Sequence, residues 1–289
     1  MQNASSSRPF RLVECPRDAM QGLERFIPTQ DKIRYLNALL RVGFHTLDFG
    51  SFVSPKAIPQ MRDTADVLAG LDLSDTKTQL LAIVANQRGA ETACSFPEIR
   101  YVGFPLSVSE TFQQRNTNKS IDEAFADVEA IQNGCEKTGK QQVVYLSMGF
   151  GNPYGDPYSP DIVGQFTERL VALGVRIIAP SDTIGSSTPE SIEALFGHLL
   201  AAFPTVEFGA HLHSTPDRVA EKVRAVHRAG VRRIDGALRG FGGCPMAKDD
   251  LTGNLPTEQI IQLLEESGET LLIDKIRLDE ALRLSTEIM

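Results

Sequence analysis

The chain has 289 residues, a length that suits one large domain and does not require two. Hydrophobic residues make up 42% and charged residues 23%, which excludes an intrinsically disordered chain and allows a large buried core. The formal net charge of −8 disfavours general binding to nucleic acid or to an anionic membrane, because both need clustered Lys and Arg. We therefore expect a small-molecule partner.

The first nine residues are polar and rich in Ser, with no apolar stretch of the kind that a secretory signal contains. They predict a disordered or frayed tail at residues 1–9, followed by a single domain at residues 10–289. No apolar run reaches the roughly 18 residues that suggest a membrane span. The four cysteines are scattered without CxxC spacing, which favours a reducing compartment, so the cytoplasm is the expected location.

Eight short apolar or β-branched runs follow one another along the chain. They lie at residues 10–15, 45–49, 79–85, 99–104, 142–147, 175–179, 206–211 and 233–238. Segments with helical spacing separate them, and Ser159-Pro160, Thr188-Pro189 and Thr215-Pro216 are typical helix starts. Eight alternating units in this length predict an α/β fold, a (β/α)8 TIM barrel with short terminal additions, in preference to an open doubly wound sheet.

Polar residues stand where the predicted strands end, the end of a parallel barrel at which active sites are built. In chain order these are Arg17 and Asp18, then Asp48, Asp182, His211 and His213, and finally Cys244 and Asn254. In His211-Leu212-His213 the strand period of two places both imidazoles on one face, where both can bind one metal ion. Oxygen ligands from Asp18 and Asn254 would complete a mixed site for Mg²⁺ or Mn²⁺.

Each of these signals also has a structural interpretation. The histidine pair also fits a hydrogen-bonded pair, and Arg17 with Asp18 also fits a surface ion pair. A single cysteine such as Cys244 is more often a buried, unreactive residue, although the glycines before it allow a close approach to a substrate. Asp182 fits a helix cap or a turn equally well.

Five motifs in order resemble those of hydroxymethylglutaryl-CoA lyases, from about Leu12 to Glu258. They are Pro16-Arg17-Asp18-Ala19-Met20-Gln21, Ser51-Phe52-Val53-Ser54-Pro55-Lys56 with Pro59-Gln60-Met61, Ser181-Asp182-Thr183-Ile184-Gly185, His211-Leu212-His213, and Gly243-Cys244-Pro245 with Gly253-Asn254-Leu255. The resemblance implies a divalent metal on Asp18, His211, His213 and Asn254, catalytic roles for Arg17, Asp18, Asp48, His211 and Cys244, and substrate contacts from Gln21, Ser51 and Asp182. In that family Arg17 would stand at the thioester oxygen, and the Cys244 thiol would transfer a proton.

The same resemblance implies cleavage of (S)-3-hydroxy-3-methylglutaryl-CoA to acetyl-CoA and acetoacetate, as in leucine degradation, by a homodimer. The sequence departs from the family pattern in four places. Asp48 stands where Glu is usual, Ser214 follows the second histidine where Asp is usual, Glu24 stands where Lys is common, and the segment 247–253 before Asn254 is one residue longer. The loss of that second carboxylate leaves a backbone carbonyl as an alternative partner for an imidazole. A related barrel aldolase or alkylmalate synthase, acting on another hydroxy or oxo acid, is the alternative hypothesis, and an inactive barrel with a binding role is a third.

Overall fold

The computed structural model of the chain describes residues 9–243 and 252–289. Within these ranges eight parallel strands pair in sequence order, and the first pairs with the eighth, which closes the barrel. The strands are β1 Arg11–Glu14, β2 Thr46–Ser51, β3 Gln79–Ile83, β4 Ile99–Ser107, β5 Gln141–Ser147, β6 Ile177–Asp182, β7 Glu207–Ser214 and β8 Arg233–Gly236. The predicted TIM barrel is confirmed, and each of the eight predicted runs overlaps one of these strands.

Helices lie between the strands on the outside of the barrel. They are α1 Pro16–Gln21, α2 Thr29–Leu40, α3 Thr64–Ala69, α4 Gln87–Ser95, α5 Glu110–Thr117, α6 Ile121–Thr138, α7 Pro160–Ala172, α8 Pro189–Ala202, α9 Val219–Arg228, α10 Thr257–Glu266 and α11 Lys275–Ile288. No helix in the described ranges combines the length and the apolar character that crossing a membrane requires. Residues 1–8 lie outside the described residues, so the N-terminal tail stays a prediction.

Two of the three predicted helix starts are α-helix starts. The side chains of Ser159 and Thr188 accept hydrogen bonds from backbone N–H groups in the first turns of α7 and α8, and a proline follows each cap. The third start is different, because Pro216 opens a single 3₁₀ turn at Pro216–Arg218 and α9 begins only at Val219. All three signals therefore mark where a strand connection turns back along the barrel.

The apolar residues form two layers of core. The larger cluster fills the space between the strands and the helices, and the smaller one lies inside the barrel. The smaller cluster consists of Leu81, Ile83, Tyr101, Val143, Tyr145, Ile177 and Ala179. These side chains fill the interior of the barrel, so the barrel is a packed core and not a pore. The site opens at one end, where polar side chains take the place of apolar ones.

A short ninth strand brings Asn254 to the end of the barrel. Strand β9, Gly253–Asn254, pairs antiparallel with the end of β7, and the register places Asn254 opposite His213. The sequence predicts Asn254 only in a loop after the eighth strand. The pairing with β7 is what fixes this residue next to the histidine pair.

Candidate active site

A cavity of about 370 Å³ opens at the carboxyl ends of the strands. Its polar wall includes Arg17, Asp18, Gln21, Asp48, Tyr145, His211 and His213, and its apolar wall includes Val53, Ile58, Ile83 and Pro105. This is the end of the barrel where the sequence predicts the active site. Six of the predicted site residues therefore line one cavity, although they belong to three different parts of the chain.

Arg17 is held by three side chains. Its Nε and Nη2 donate to Asp48 Oδ2 at 2.9 and 2.6 Å, and its Nη1 donates to Asp18 Oδ1 at 3.0 Å and to Gln21 Oε1 at 2.9 Å. The helix α1 explains part of this arrangement, because Arg17 and Gln21 are four residues apart and share a helix face. The alternative interpretation as a surface ion pair is wrong, because Arg17 and Asp18 pair at 3.0 Å but are both buried.

Asp18 faces the ninth strand across the site. Asn254 Nδ2 donates to Asp18 Oδ2 at 2.7 Å and to the Phe241 carbonyl at 2.9 Å, which leaves the Asn254 amide oxygen for another partner. Gly242 packs against both residues with φ of +85°, and a Cβ there would lie 2.8 Å from the Asp18 carbonyl oxygen and 2.9 Å from Asn254 Nδ2. Only glycine fits at this position without moving Asp18 or Asn254.

Each histidine of the pair is oriented through its Nδ1 atom. His211 Nδ1 lies 3.2 Å from Asp235 Oδ2, and His213 Nδ1 lies 2.9 Å from the Thr183 carbonyl oxygen. A carbonyl can only accept, so His213 carries its proton on Nδ1 and its Nε2 is an acceptor. That Nε2 atom is buried and has no hydrogen-bond partner among the described residues.

Asp18, His211 and His213 form a group that could hold a metal ion, because their ligand atoms lie within 4.8 Å of one another. An unpartnered buried nitrogen is costly in a protein interior, and a metal bond would remove that cost. A second group of this kind, Cys15, His211 and Asp235, shares His211. Its Asp235 carboxylate is already the hydrogen-bond partner of His211 Nδ1, which leaves the Nε2 of His211 for the first group.

The buried charges of the site shift one another's pKa values. Burial raises the pKa of Asp48 to about 6, although Arg17 acts against it. Burial would also raise the pKa of Asp18, but the charges of Arg17, His211 and His213 outweigh it and hold the pKa below its usual value. Asp18 therefore stays ionised well below neutral pH, whereas Asp48 takes up a proton near pH 6.

Two predicted site residues lie outside the cavity. Ser51 is buried and accepts a hydrogen bond from the Val53 N–H, so it shapes the loop that carries Val53 into the cavity wall. Asp182 is buried, and its oxygens accept from the backbone N–H groups of Ser186 and Ser187, as in the turn interpretation. Neither residue is among those that line the described cavity. Cys244 lies outside the described residues, so its role stays a prediction.

Two charged residues that surround the site were missed by the sequence analysis, and both left a signal in the sequence. Asp235 is a carboxylate two positions after Arg233 in the predicted strand 233–238, so its side chain points to the same face as that of Arg233. Lys222 falls between Val219 and Val226 on the apolar face of α9, where a lysine needs a buried partner. In both cases the signal was a charged residue at a position where the strand or helix pattern predicts burial.

The fold and the site together define a TIM-barrel enzyme whose polar end could hold a metal ion. Residues 12–287 match the sequence profile of the HMGL-like family. The chain belongs to the HMGL-like family.

Its relatives extend over most of the chain. Hydroxymethylglutaryl-CoA lyase of Bacillus subtilis is 35% identical over 251 residues, which cover 87% of this chain and 83% of that protein. The solved structure of the HMG-CoA lyase from Brucella melitensis superposes with a TM-score of 0.90 at 31% identity, covering 97% of this chain and 99% of that one. An HMG-CoA lyase from Acinetobacter baumannii, solved with coenzyme A and 3-methylmalate, gives a TM-score of 0.88 at 29% identity and covers 97% of this chain and 91% of that one.

Proposed function

We propose that this protein is a divalent-metal-dependent carbon–carbon lyase that cleaves (S)-3-hydroxy-3-methylglutaryl-CoA to acetyl-CoA and acetoacetate. The observation that carries the proposal is the convergence of Arg17, Asp18, His211 and His213 on one cavity in a chain of the HMGL-like family. Related proteins named as hydroxymethylglutaryl-CoA lyases support the reaction. Coenzyme A in the A. baumannii structure supports an acyl-CoA substrate.

Asp18, His211, His213 and Asn254 would hold the metal. Among the described residues, three observations fit an ion at this point: His213 Nε2 has no partner, the Asp18 and histidine ligand atoms cluster, and both Asn254 amide bonds come from Nδ2 and not from the amide oxygen. Two imidazoles with oxygen ligands suit Mg²⁺ or Mn²⁺. When bound, the ion supplies a Lewis acid that lowers the pKa of a substrate hydroxyl and orients it.

Arg17 stabilises the negative charge that develops on the thioester oxygen. Its guanidinium has five N–H groups, and the bonds to Asp48, Asp18 and Gln21 use four of them. One N–H on Nη2 therefore remains for the enolate oxygen. Because Arg17 is fixed before the substrate arrives, it does not have to reorganise as the charge forms.

Asp48 accepts the proton of the tertiary hydroxyl. Both Arg17 bonds go to Oδ2, and Oδ1 is buried without a partner among the described residues. A pKa of about 6 suits a base that works near neutral pH. His211 and Asp18 are the alternative acceptors that the sequence suggests, but as metal ligands their cavity-facing atoms would be occupied.

Cleavage then breaks the carbon–carbon bond, and its electron pair passes into the thioester enolate beside Arg17. The Cys244 thiol, predicted from the sequence, protonates the enolate carbon to give acetyl-CoA, while the former hydroxyl carbon becomes the ketone of acetoacetate. The proton on Asp48 replaces the one that Cys244 gives up, so the reaction needs no oxidant and no net proton. The apolar wall formed by Val53, Ile58 and Ile83 suits the methyl branch of the substrate.

Several finer features belong to the same proposal. The absence of CxxC spacing supports a reducing compartment, and we place the protein in the cytoplasm. The reaction fits leucine degradation, and the resemblance of the chain to hydroxymethylglutaryl-CoA lyases supports a homodimer. The domain is expected to span residues 10–289.

The test is turnover of a panel of acyl-CoA thioesters and free hydroxy acids by metal-stripped protein, before and after adding Mg²⁺ or Mn²⁺. We expect cleavage of 3-hydroxy-3-methylglutaryl-CoA only with added metal. Turnover of another hydroxy acid, with no cleavage of this thioester by the metal-loaded protein, would overturn the substrate. Full activity after exhaustive chelation would overturn the metal dependence.

A further inference from the structure

Lys222 lies behind the histidine pair and outside the cavity. Its side chain is fully buried, and its Nζ donates to Asp182 Oδ2 at 2.8 Å, to the His213 carbonyl at 2.8 Å and to the Gly185 carbonyl at 3.0 Å. An ammonium group has three N–H donors, so these three acceptors use all of them. Lys222 thus connects helix α9 with the end of β7 and with the loop after β6.

Asp182 folds the loop to which Lys222 is attached. Its Oδ1 accepts from the Ser186 N–H at 2.8 Å, and its Oδ2 accepts from the Ser187 N–H at 3.0 Å and from the Ser187 hydroxyl at 2.5 Å. The next residue, Thr183, presents its carbonyl to His213 Nδ1 at 2.9 Å. The same residue is fixed from the other side, because its hydroxyl accepts from the Met148 N–H at 2.8 Å.

His213 is therefore held at two points by one buried ion pair. Lys222 fixes its backbone carbonyl directly, and the loop built around Asp182 fixes its imidazole through the Thr183 carbonyl. The family pattern has a carboxylate after this histidine, but this chain has Ser214 at that position. The Ser214 hydroxyl donates to the Thr215 carbonyl at 2.9 Å. The imidazole thus depends on a backbone carbonyl, whose direction is set by the loop.

A buried ion pair is a costly way to stabilise a fold, because two charges lose their hydration and an apolar pair of the same size is often as stable. It fixes geometry better than an apolar pair does, since each of its hydrogen bonds has a direction. Here every N–H donor of Lys222 and both carboxylate oxygens of Asp182 form hydrogen bonds, and these bonds lie at the loop after β6 and at the end of β7. The arrangement suits the orientation of His213.

We propose that Lys222, paired with Asp182, is a positioning residue that orients His213 for metal binding. The inference rests on the proposed function, in which His213 is a metal ligand. Lys222 acts only through His213 and the loop after β6. Its loss should therefore lower the affinity for the metal and change the coordination of the bound ion.

The experiment compares Lys222→Met with the wild-type protein by calorimetric titration with Mn²⁺ and by the electron paramagnetic resonance spectrum of the bound ion. We expect a 10- to 100-fold loss of Mn²⁺ affinity, the range seen when groups that orient metal ligands are removed. The matched control is Lys32→Met. Lys32 is a second buried lysine, on α2, whose Nζ lies 2.7 Å from Asp63 Oδ1, and it has no contact with either histidine in the described part of the chain.

If Lys222→Met does not fold, the double variant Lys222→Met/Asp182→Asn removes both buried charges and is titrated in its place. A folded variant of either kind with wild-type Mn²⁺ affinity and spectrum would overturn the inference, and so would an equal loss in Lys32→Met. Wild-type protein that binds no Mn²⁺ would instead overturn the metal site, and with it this inference. The two failures are therefore distinguishable by the titration of the wild-type protein alone.

Discussion

Replacing Asp48 by Asn changes one atom of the site and tests the proposed proton acceptor. The Asn amide oxygen can still accept from Arg17 Nε and Nη2, and Arg17 keeps its bonds to Asp18 and Gln21. We therefore expect Arg17 to stay in place and the protein to fold. What is lost is the carboxylate oxygen Oδ1, which has no other partner among the described residues.

The expected size of the effect follows from that loss. A positioned general base contributes about 10²- to 10⁴-fold, equivalent to about 3–5 kcal/mol of barrier. We expect the Asp48→Asn variant to lose kcat by this factor with little change in KM, because Arg17 and the metal site that bind the substrate are unchanged. The wild-type protein should also lose activity below about pH 6, where Asp48 takes up a proton, and the variant should lack this limb.

The assay is steady-state cleavage of 3-hydroxy-3-methylglutaryl-CoA from pH 5 to 9 with saturating Mg²⁺, alongside thermal unfolding of each variant. Asp48→Glu is the matched control, since it restores the charge on an arm one methylene longer. A displacement of about 1 Å can cost about 100-fold, so this variant should also be slow but should retain the acidic limb. Wild-type kcat in Asp48→Asn would refute the role of Asp48 as the base.

Four further predictions test the site and the fold. Asp235→Ala should lower Mn²⁺ affinity about 10- to 100-fold, because it removes the acceptor that orients His211 through Nδ1, and an unchanged calorimetric titration would contradict this. His213→Ala should abolish metal binding while the thermal unfolding midpoint changes little; retained metal-dependent turnover would remove His213 from the ligand set. Cys244→Ser should lower kcat far more than it changes KM, and an unchanged kcat would remove Cys244 from the proton transfer. Burial raises the pKa of Glu14 from 4.5 to about 8, so its contribution to stability is complete below pH 4.5 and is lost as the pH rises through 8. The free energy of unfolding of Glu14→Gln, measured with denaturant, should therefore change less between pH 5 and 9 than that of the wild type. The difference should be roughly 1.4 kcal/mol for each pH unit of the pKa shift that this range covers. Parallel curves for the two proteins would show that the pKa of Glu14 is not shifted.

The sequence by itself determined the order of strands and helices in the barrel and the histidine half of the proposed metal site. Strand alternation and helix spacing are local, because they follow from the geometry of a few consecutive residues. His211 and His213 are two residues apart in one strand, so their common face could be read from the chain alone. The same holds for Arg17 and Gln21 on α1, which are joined by helix geometry.

Only the tertiary structure decided which partners these residues contact. Asp18 and Asn254 are 236 positions apart and come together because the barrel closes and β9 pairs with β7. The partners of the two imidazoles, Asp235 and the Thr183 carbonyl, come from the neighbouring strand and loop on either side of β7. No local period encodes such contacts, because they depend on which strands become neighbours and on the register in which they pair. For the same reason Asp182, which resembled a substrate contact in the sequence, lies in the structure against a buried lysine 40 residues away.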